Sequence, residues 1–87
     1  MLNIQRAANG GVVFTVSGQL DEENITELKD LFGSEEEGRP IVLDLKDLTL
    51  VDREAVRLLE HCESNGIKLK NCPAYIREWI AIEREGK

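Results

Sequence analysis

The sequence has few cysteines and no long apolar run. These two features argue against a disulfide-rich scaffold and against a membrane-spanning protein. Its two cysteines, Cys62 and Cys72, have neither C-x-x-C nor C-x-x-H spacing, so the chain is not a disulfide-rich scaffold and carries no zinc motif. No apolar stretch approaches the roughly 20 residues that span a bilayer, and the first residues lack the apolar core of a signal peptide. We therefore expect a cytoplasmic protein without membrane insertion, with both thiols reduced and structural.

Basic residues are also scarce. The 87 residues include 11 Lys and Arg against 17 Asp and Glu, which gives a formal net charge of -6. An acidic chain repels phosphate backbones, so nucleic acid is not an expected partner. The hydrophobic fraction of 41% suits a folded globular chain, and the length suits a single domain over residues 1–87.

Motifs of enzymatic chemistry are missing as well. The single histidine, His61, precedes Cys62 on a predicted helix, where adjacent side chains point about 100° apart and do not form a catalytic pair. The sequence contains no glycine-rich phosphate loop, zinc motif or nucleophile elbow. The expectation is a non-catalytic protein that uses no cofactor and no metal.

The N-terminal segment has the pattern of a β-hairpin. Leu2 and Ile4 alternate with polar residues, which predicts a short strand with one buried face. Residues 12–16 are rich in β-branched and aromatic side chains, which predicts a second strand. The Asn-Gly-Gly turn at 9–11 joins them, so the two strands are expected to pair.

A helix and a polar loop are expected next. The helix begins near residues 21–24, where acidic side chains favour a helix N-terminus, and ends at Gly33. Its apolar residues fall at helical spacing, and the predicted buried stripe comprises Ile25, Leu28, Leu31 and Phe32. Residues 34–40 include three glutamates and are interpreted as a solvated loop rather than a binding surface.

Residues 41–66 form the unit around which the rest of the chain is organised. The apolar run at 41–45 predicts a strand, residues 46–49 a turn, and Asp52 the N-cap of a helix. The apolar face of that helix comprises Ala55, Val56, Leu59 and Cys62. Gly66 is the expected C-terminal stop of the helix.

The remaining residues predict one more strand and one more helix. Residues 67–70 alternate apolar and basic side chains, and Pro73 suits a first helical turn. The apolar face of the last helix comprises Tyr75, Ile76, Trp79, Ile80 and Ile82, with Trp79 expected in the core. The order β-β-α-β-α-β-α predicts an α/β fold, a four-stranded mixed sheet packed with about three helices.

Four acidic residues crowd around the end of the third predicted strand: Asp44, Asp47, Asp52 and Glu54. Ligands of open α/β sheets bind outside the carboxyl ends of strands, so this cluster has three interpretations. It could bind a divalent cation through oxygen ligands, form a phosphoryl-accepting pocket of the receiver type, or consist of caps and solvated loop residues. The last interpretation is favoured, because spacing alone does not converge the ligands.

Two stretches resemble the signatures of the STAS domain family. Residues 13–21, V-F-T-V-S-G-Q-L-D, resemble the strand and G-x-L-D turn near the start of these domains. Residues 41–52 resemble the second signature, a V-L-D-L strand and a loop that lead to D-S-S-G-L at the start of a helix. The resemblance extends over about residues 2–69, whereas 72–87 fits by position alone.

The resemblance implies a role in protein interaction. Bacterial members of the family include anti-anti-sigma factors, whose partner is an ATP-dependent serine kinase that also sequesters a sigma factor. The unphosphorylated STAS protein binds the kinase and frees the sigma factor, and phosphorylation of a serine in D-S-S-G abolishes that binding. Other members are scaffolds in sensory assemblies or cytoplasmic parts of transporters.

The chain departs from the family at this switch. Asp52 matches the aspartate of D-S-S-G-L, but Arg53 and Glu54 replace the serine pair, and Ala55 and Val56 replace the glycine and leucine. Glu54 stands at the modified position and does not accept a phosphoryl group as a stable ester. It either imitates phosphoserine or is an ordinary first-turn residue in a branch that lost the switch, and we favour the second interpretation.

The sequence therefore predicts a non-catalytic interaction module that resembles anti-anti-sigma factors and lacks serine phosphoregulation. The expected partner-binding residues are Asp52, Arg53, Glu54, Ala55 and Val56, and the expected flanking surface comprises Asp21, Thr49 and Arg57. The partner implied by the resemblance is a serine kinase of the anti-sigma type. The alternative is a scaffold or transporter-associated subunit whose interface lies elsewhere, for example around Tyr75 and Arg77 of the last helix.

Overall fold

The computed structural model describes residues 2–8, 10–35 and 38–86. The elements in chain order are β1 (Leu2–Ala8), β2 (Val12–Leu20), α1 (Ile25–Gly33), β3 (Ile41–Asp44), β4 (Leu48–Val51), α2 (Arg53–Ser64), β5 (Lys68–Lys70) and α3 (Ala74–Glu85). Within these residues the longest helices have 12 residues, and no helix is both long and apolar enough to cross a bilayer.

The strands form one mixed sheet in the order β1-β2-β3-β5, with β4 paired to β2 beyond the end of β3. β1 and β2 are antiparallel, which confirms the predicted hairpin, and the pairs β2–β3, β3–β5 and β2–β4 are parallel. The α/β class, the mixed sheet and the three helices agree with the sequence prediction. The fifth strand, β4, was predicted as a turn and two further residues.

The fifth strand exists because β2 is longer than the sequence pattern indicates. β2 continues past residue 16 through Gly18, whose φ of +89° and shifted register mark a bulge between Gly18 and Gln19. A bulge at a glycine bends and twists a strand without ending it. The first part of β2 pairs with β3, and the part after the bulge is free to pair with β4.

The core lies between the sheet and the helices. In β2 alternate residues are buried, as the period of a strand requires: Val12, Phe14 and Val16 are almost fully buried, whereas Val13 and Thr15 are half-buried. The other main core residues are Leu20, Leu28, Leu43, Leu45, Val56, Leu59, Ile76 and Ile80. α2 contacts both α1 and α3, so the helix that carries the candidate site is the central one.

The ends of the helices follow the predicted signals closely. Asn24 precedes α1, within the predicted start at 21–24, and Gly33 is its last residue. Gly66 follows the C-cap Asn65 with a φ of +90°, and the N–H groups of Gly66 and Ile67 donate to the carbonyls of Glu63 (3.2 Å) and Cys62 (3.0 Å). This pair of bonds ends α2 in the Schellman arrangement, which a residue with a side chain at 66 would strain.

Two of the predictions concern the exposure of side chains, one in the last helix and one in the loop at residues 34–40. Ile82 was predicted on the buried face of the last helix, but its side chain is 65% exposed, so that prediction is wrong. Tyr75, predicted on the same face, is 48% exposed, so that prediction is wrong as well. The helix is buried through Ile76 and Ile80, and Trp79 packs against the core from a half-buried position. In the loop predicted to be solvated, Glu35 pairs with Arg6 through two hydrogen bonds (2.8 and 3.0 Å), and Glu36 and Glu37 lie outside the described residues.

Near the C-terminal end of α2, the carboxylate of Glu63 connects this helix to α3. Glu63 accepts hydrogen bonds from Arg77 (2.8 and 2.9 Å) and Arg84 (2.6 Å). Partial burial opposes ionisation, but the two guanidinium groups outweigh it and hold the pKa of Glu63 below its ordinary value. Arg77 was predicted to face outward, and its side chain does remain partly exposed while it makes this contact.

We expect Glu63→Gln to lower the free energy of unfolding by about 1 kcal/mol at neutral pH. A half-buried carboxylate that pairs with two arginines contributes more stability than an isolated ion pair on the surface does. Because the folded pKa is lowered, the contribution is complete above about pH 5 and is lost as the pH falls below about 4.3 through the folded pKa. Urea denaturation of both proteins from pH 7 to pH 3 measures the difference. An equal gap at all pH values would show that the charge of Glu63 is not responsible.

Candidate functional site

The start of α2 is placed by two parallel strands that end beside each other. The last two residues of β4 pair with Gln19 and Leu20 at the end of β2. Asp52 follows, and its N–H donates to the Leu20 carbonyl (3.3 Å) before the helix begins at Arg53. The carboxyl ends of parallel strands are where open α/β sheets place their functional surfaces, so this edge is the candidate site.

The carboxylate of Asp52 connects two segments of the chain. Oδ1 accepts a hydrogen bond from the Ala55 N–H (2.9 Å), which confirms Asp52 as the N-cap of α2. Oδ2 accepts a hydrogen bond from the Glu22 N–H (3.0 Å), 30 residues earlier in the chain. One side chain therefore caps the helix and holds the turn after β2 against it.

That turn is ordered by its own side chains. Asp21 accepts hydrogen bonds from the Gln19 amide (3.0 Å) and the Glu23 N–H (3.1 Å), and its own N–H donates to the Asn24 side chain (2.8 Å). The Asn24 amide donates to the Gln19 carbonyl (2.8 Å). The carboxylate of Asp21 thus holds the turn that presents the Glu22 N–H, and it belongs to the same structural unit as Asp52.

Arg53 and Glu54, which replace the serine pair of the motif that the sequence resembles, are both exposed on the first turn of α2. Arg53 is tied to α3 by an ion pair with Glu83 (Nε–Oε1 2.9 Å). Glu54 lies 3.5 Å from Arg57, three residues later, with both side chains about half exposed. Such exposed pairs contribute little to stability, so the side chain of Glu54 is available to another protein.

Ala55 and Val56, the other two predicted partner-binding residues, are fully buried. Their side chains belong to the core between α2 and the sheet, and they do not reach the surface. Helical periodicity therefore places the residues of the motif on two sides of α2. Arg53 and Glu54 face solvent, whereas Ala55 and Val56 anchor the turn that presents them.

The predicted flanking residues occupy different surroundings. The hydroxyl of Thr49 donates to the Gly18 carbonyl (2.8 Å) across the β2–β4 pair, and its own carbonyl accepts a hydrogen bond from the Tyr75 hydroxyl (2.8 Å). Thr49 and Arg57 are exposed, and Asp21 is half-buried. Sequence reasoning missed Glu22 and Glu83, because contacts 30 residues apart leave no local signal.

The acidic cluster does not act as one group. Asp44 accepts hydrogen bonds from the Lys46 N–H and the Asn71 side chain (both 3.2 Å). These bonds outweigh the opposing effect of partial burial and hold the pKa of Asp44 below its ordinary value. Asp44 thus stabilises its own turn and contacts Asn71, whereas Asp52 caps α2. Among residues 2–8, 10–35 and 38–86, no group of three or more Asp, Glu, His or Cys side chains is arranged to hold a metal ion.

The two cysteines are free thiols in protected positions. Cys62 is buried on the core side of α2, and burial raises its pKa to about 12, so it is a protonated thiol at neutral pH. Burial also raises the pKa of Cys72. His61, beside Cys62 in the chain, is exposed, whereas Cys62 is buried.

In a comparison with known families, the model of the STAS domain matches residues 3–70. The match begins in β1 and ends in β5, and it contains both stretches that resemble the family signatures. α3 follows the matched region. A comparison with curated proteins finds no significant match.

Proposed function

Because the chain belongs to the STAS domain family, we propose that it is a non-catalytic protein-interaction module that resembles bacterial anti-anti-sigma factors. The observation that carries the proposal is the exposed first turn of α2, which Asp52 holds against the turn after β2. The anti-anti-sigma factors of the family carry their phosphorylatable serine on this turn. A cytoplasmic serine kinase of the anti-sigma type is the proposed partner.

The proposed module works without serine phosphoregulation, because Glu54 occupies the modified position. A carboxylate on the first turn of a helix gains about 0.3–1 kcal/mol from the unpaired N–H groups and the helix dipole. Phosphoserine carries a charge of about -1.5 to -2 and three acceptor oxygens, and Glu54 is already engaged in part by Arg57. These differences favour a constant surface residue over an imitation of the phosphorylated state.

The proposed contact surface is smaller than the sequence motif. It comprises the exposed residues of the first turn, Arg53 and Glu54, with Thr49 and Arg57 beside them. Asp21 and Asp52 support this surface through their hydrogen bonds with backbone N–H groups. Ala55 and Val56 contribute only by keeping α2 in place.

Substitution of Glu54 tests this surface. We expect Glu54→Ser and Glu54→Ala to change the yield of a kinase-like regulator at least about threefold relative to wild type, because the residue lies inside the contact and not at its rim. The measurement is affinity capture from the native cell's lysate with the three baits, read by quantitative mass spectrometry. Glu27→Ser and Glu27→Ala are matched controls, since Glu27 is an exposed acid on the first turn of α1.

The Ser variant adds a second readout. If the ancestral switch surface is intact, Glu54→Ser should become a substrate of the captured kinase with ATP, and phosphorylation should release it. Equal recovery of the same partner by all baits, including the Glu27 variants, would contradict the assignment of the site.

A second candidate function is a scaffold or transporter-associated subunit with its interface on α3. The observation that favours it is the exposure of Tyr75 and Ile82, two of the large apolar side chains of that helix. Under this alternative Tyr75→Ala lowers partner recovery more than Glu54→Ala does.

A further inference from the structure

A groove separates α2 from α3 on the surface of the domain. It has a volume of about 660 Å³, and the side chains that define it are Arg53, Arg57 and His61 of α2 and Trp79, Ile82 and Glu83 of α3. We name it the α2–α3 groove. Of these residues only Arg53 and Arg57 belong to the surface assigned above, so the groove extends beyond it.

The α2 wall of the groove carries two arginines and a histidine. Arg53, Arg57 and His61 are four residues apart, and this spacing places them in a row along one side of the helix. Arg53 is paired with Glu83, but the contact between Arg57 and Glu54 is 3.5 Å long and exposed. A guanidinium has five N–H donors, so Arg57 retains the capacity to bind a further carboxylate.

The α3 wall of the groove is mainly apolar, and its charged residue, Glu83, is the one that pairs with Arg53. Ile82 is 65% exposed and Trp79, one turn earlier, is half-buried. Three large hydrophobic side chains are strongly exposed among the described residues, and two of them, Tyr75 and Ile82, are on α3. Residues 75, 79 and 82 have i, i+4, i+7 spacing, which places them on one stripe of the helix. Exposed apolar side chains beside charged ones are typical of a docking surface.

The cations of the groove, and not the net charge of the chain, indicate what occupies it. The protein carries a formal net charge of -6, so an acidic partner is repelled by the chain as a whole and attracted only where cations are grouped. Nucleic acid is acidic but does not supply aliphatic groups for Ile82. An acidic segment with apolar residues on one side satisfies both walls, as amphipathic helices do in grooves of this kind.

We propose that the α2–α3 groove is the docking site for an acidic amphipathic segment of a partner protein. Carboxylates of the segment contact Arg57 and His61, and its apolar side chains pack on Trp79 and Ile82. The groove shares Arg53 and Arg57 with the proposed contact surface, but the proposal does not depend on the role of Glu54. It also gives a function to the exposure of Ile82, which the packing of the domain leaves unexplained.

The test begins with a selection from a random-peptide display library against the intact protein. The expected result is enrichment of sequences that combine Asp or Glu with large apolar residues. Trp79 is the single tryptophan of the chain, so synthetic versions of the enriched peptides should change its fluorescence on binding. Versions with Lys in place of the acids, or Ser in place of the apolar residues, should not bind.

Substitutions then locate the binding. Ile82→Glu and Arg57→Glu, one on each wall, should each weaken binding about tenfold or more. Lys68→Glu is the matched control for the change of charge, because Lys68 is an exposed cation on β5 and does not line the groove. Circular dichroism of each variant verifies the fold, and since Ile82 and Arg57 are both exposed, neither substitution disturbs the core.

A further variant separates this proposal from the proposed function. Glu54→Ala removes the carboxylate that competes for Arg57, so it should preserve or strengthen peptide binding even where it alters capture of a kinase. Four results would contradict the proposed role of the groove. They are enrichment of basic or uncharged peptides, no enrichment, binding that Glu54→Ala weakens, and binding that Ile82→Glu leaves unchanged. Trp79 fluorescence that changes with protein concentration alone would also overturn it, because the occupant would be a second copy.

Discussion

Replacing Phe14 with alanine is expected to lower the free energy of unfolding by about 3–5 kcal/mol. Phe14 is fully buried in β2, and its ring meets that of Phe32 edge to face, with centroids 5.8 Å apart. β2 pairs with β1, β3 and β4, so it is an interior strand of the sheet. Unlike an edge strand, it is not free to move into the cavity that the substitution leaves. Small domains have a total stability of roughly 5–15 kcal/mol, and the variant would lose a large part of it.

Urea denaturation followed by circular dichroism and by Trp79 fluorescence measures this loss. Phe32→Ala is the comparison, and since Phe32 is only half-buried, we expect a smaller decrease. The double variant should show a coupling of about 0.5–1.5 kcal/mol between the rings. A decrease below about 1 kcal/mol for Phe14→Ala would mean that the ring is not the centre of the core.

Replacing Asp52 with alanine is expected to lower the free energy of unfolding by about 2–3 kcal/mol. The loss has two parts, the N-cap bond to the Ala55 N–H, about 1 kcal/mol, and the bond from the Glu22 N–H to a charged acceptor, about 1.5 kcal/mol. Both bonds have good length, 2.9 and 3.0 Å. The same substitution should abolish partner capture, because it releases the turn that carries Arg53 and Glu54.

Hydrogen exchange distinguishes this mechanism from general loosening. In Asp52→Ala the amides of Glu22 and Ala55 should lose protection more than those of the core strands. Asp52→Asn keeps one acceptor oxygen and should be intermediate, whereas Asp47→Ala, at an exposed acid of the neighbouring turn, should stay within about 0.5 kcal/mol of wild type. Unchanged protection at Glu22 would contradict the proposed link between the two segments.

These two residues illustrate what local patterns indicate and what they omit. Asp52 is predicted to be an N-cap by its place before a helical pattern, and that prediction is confirmed. For Phe14 the sequence predicts only a place in the second strand, and the structure adds that its side chain is fully buried. The second bond of Asp52 was not predicted, because the turn containing Glu22 approaches it only after β2 and β4 have paired. The burial of Ala55 and Val56 follows from helical period and was available from the sequence, although the family motif had grouped them with exposed residues.

The sequence alone determined the class of the fold, the hairpin, the three helices, the N-cap of α2 at Asp52 and its stop at Gly66. It did so because periodicity, turn residues and caps act between residues that are close in the chain. It also determined that a carboxylate, and no hydroxyl, occupies position 54.

Only the tertiary structure decided the fifth strand, the exposure of Ile82 and the separation of Asp44 from Asp52. Each depends on contacts between distant segments: β4 on the extension of β2 past Gly18, Ile82 on the packing of α3 against α2, and the acids on partners in other elements. Such contacts form when apolar surfaces pack, and the free energy of packing depends on neighbours that no local window of sequence contains.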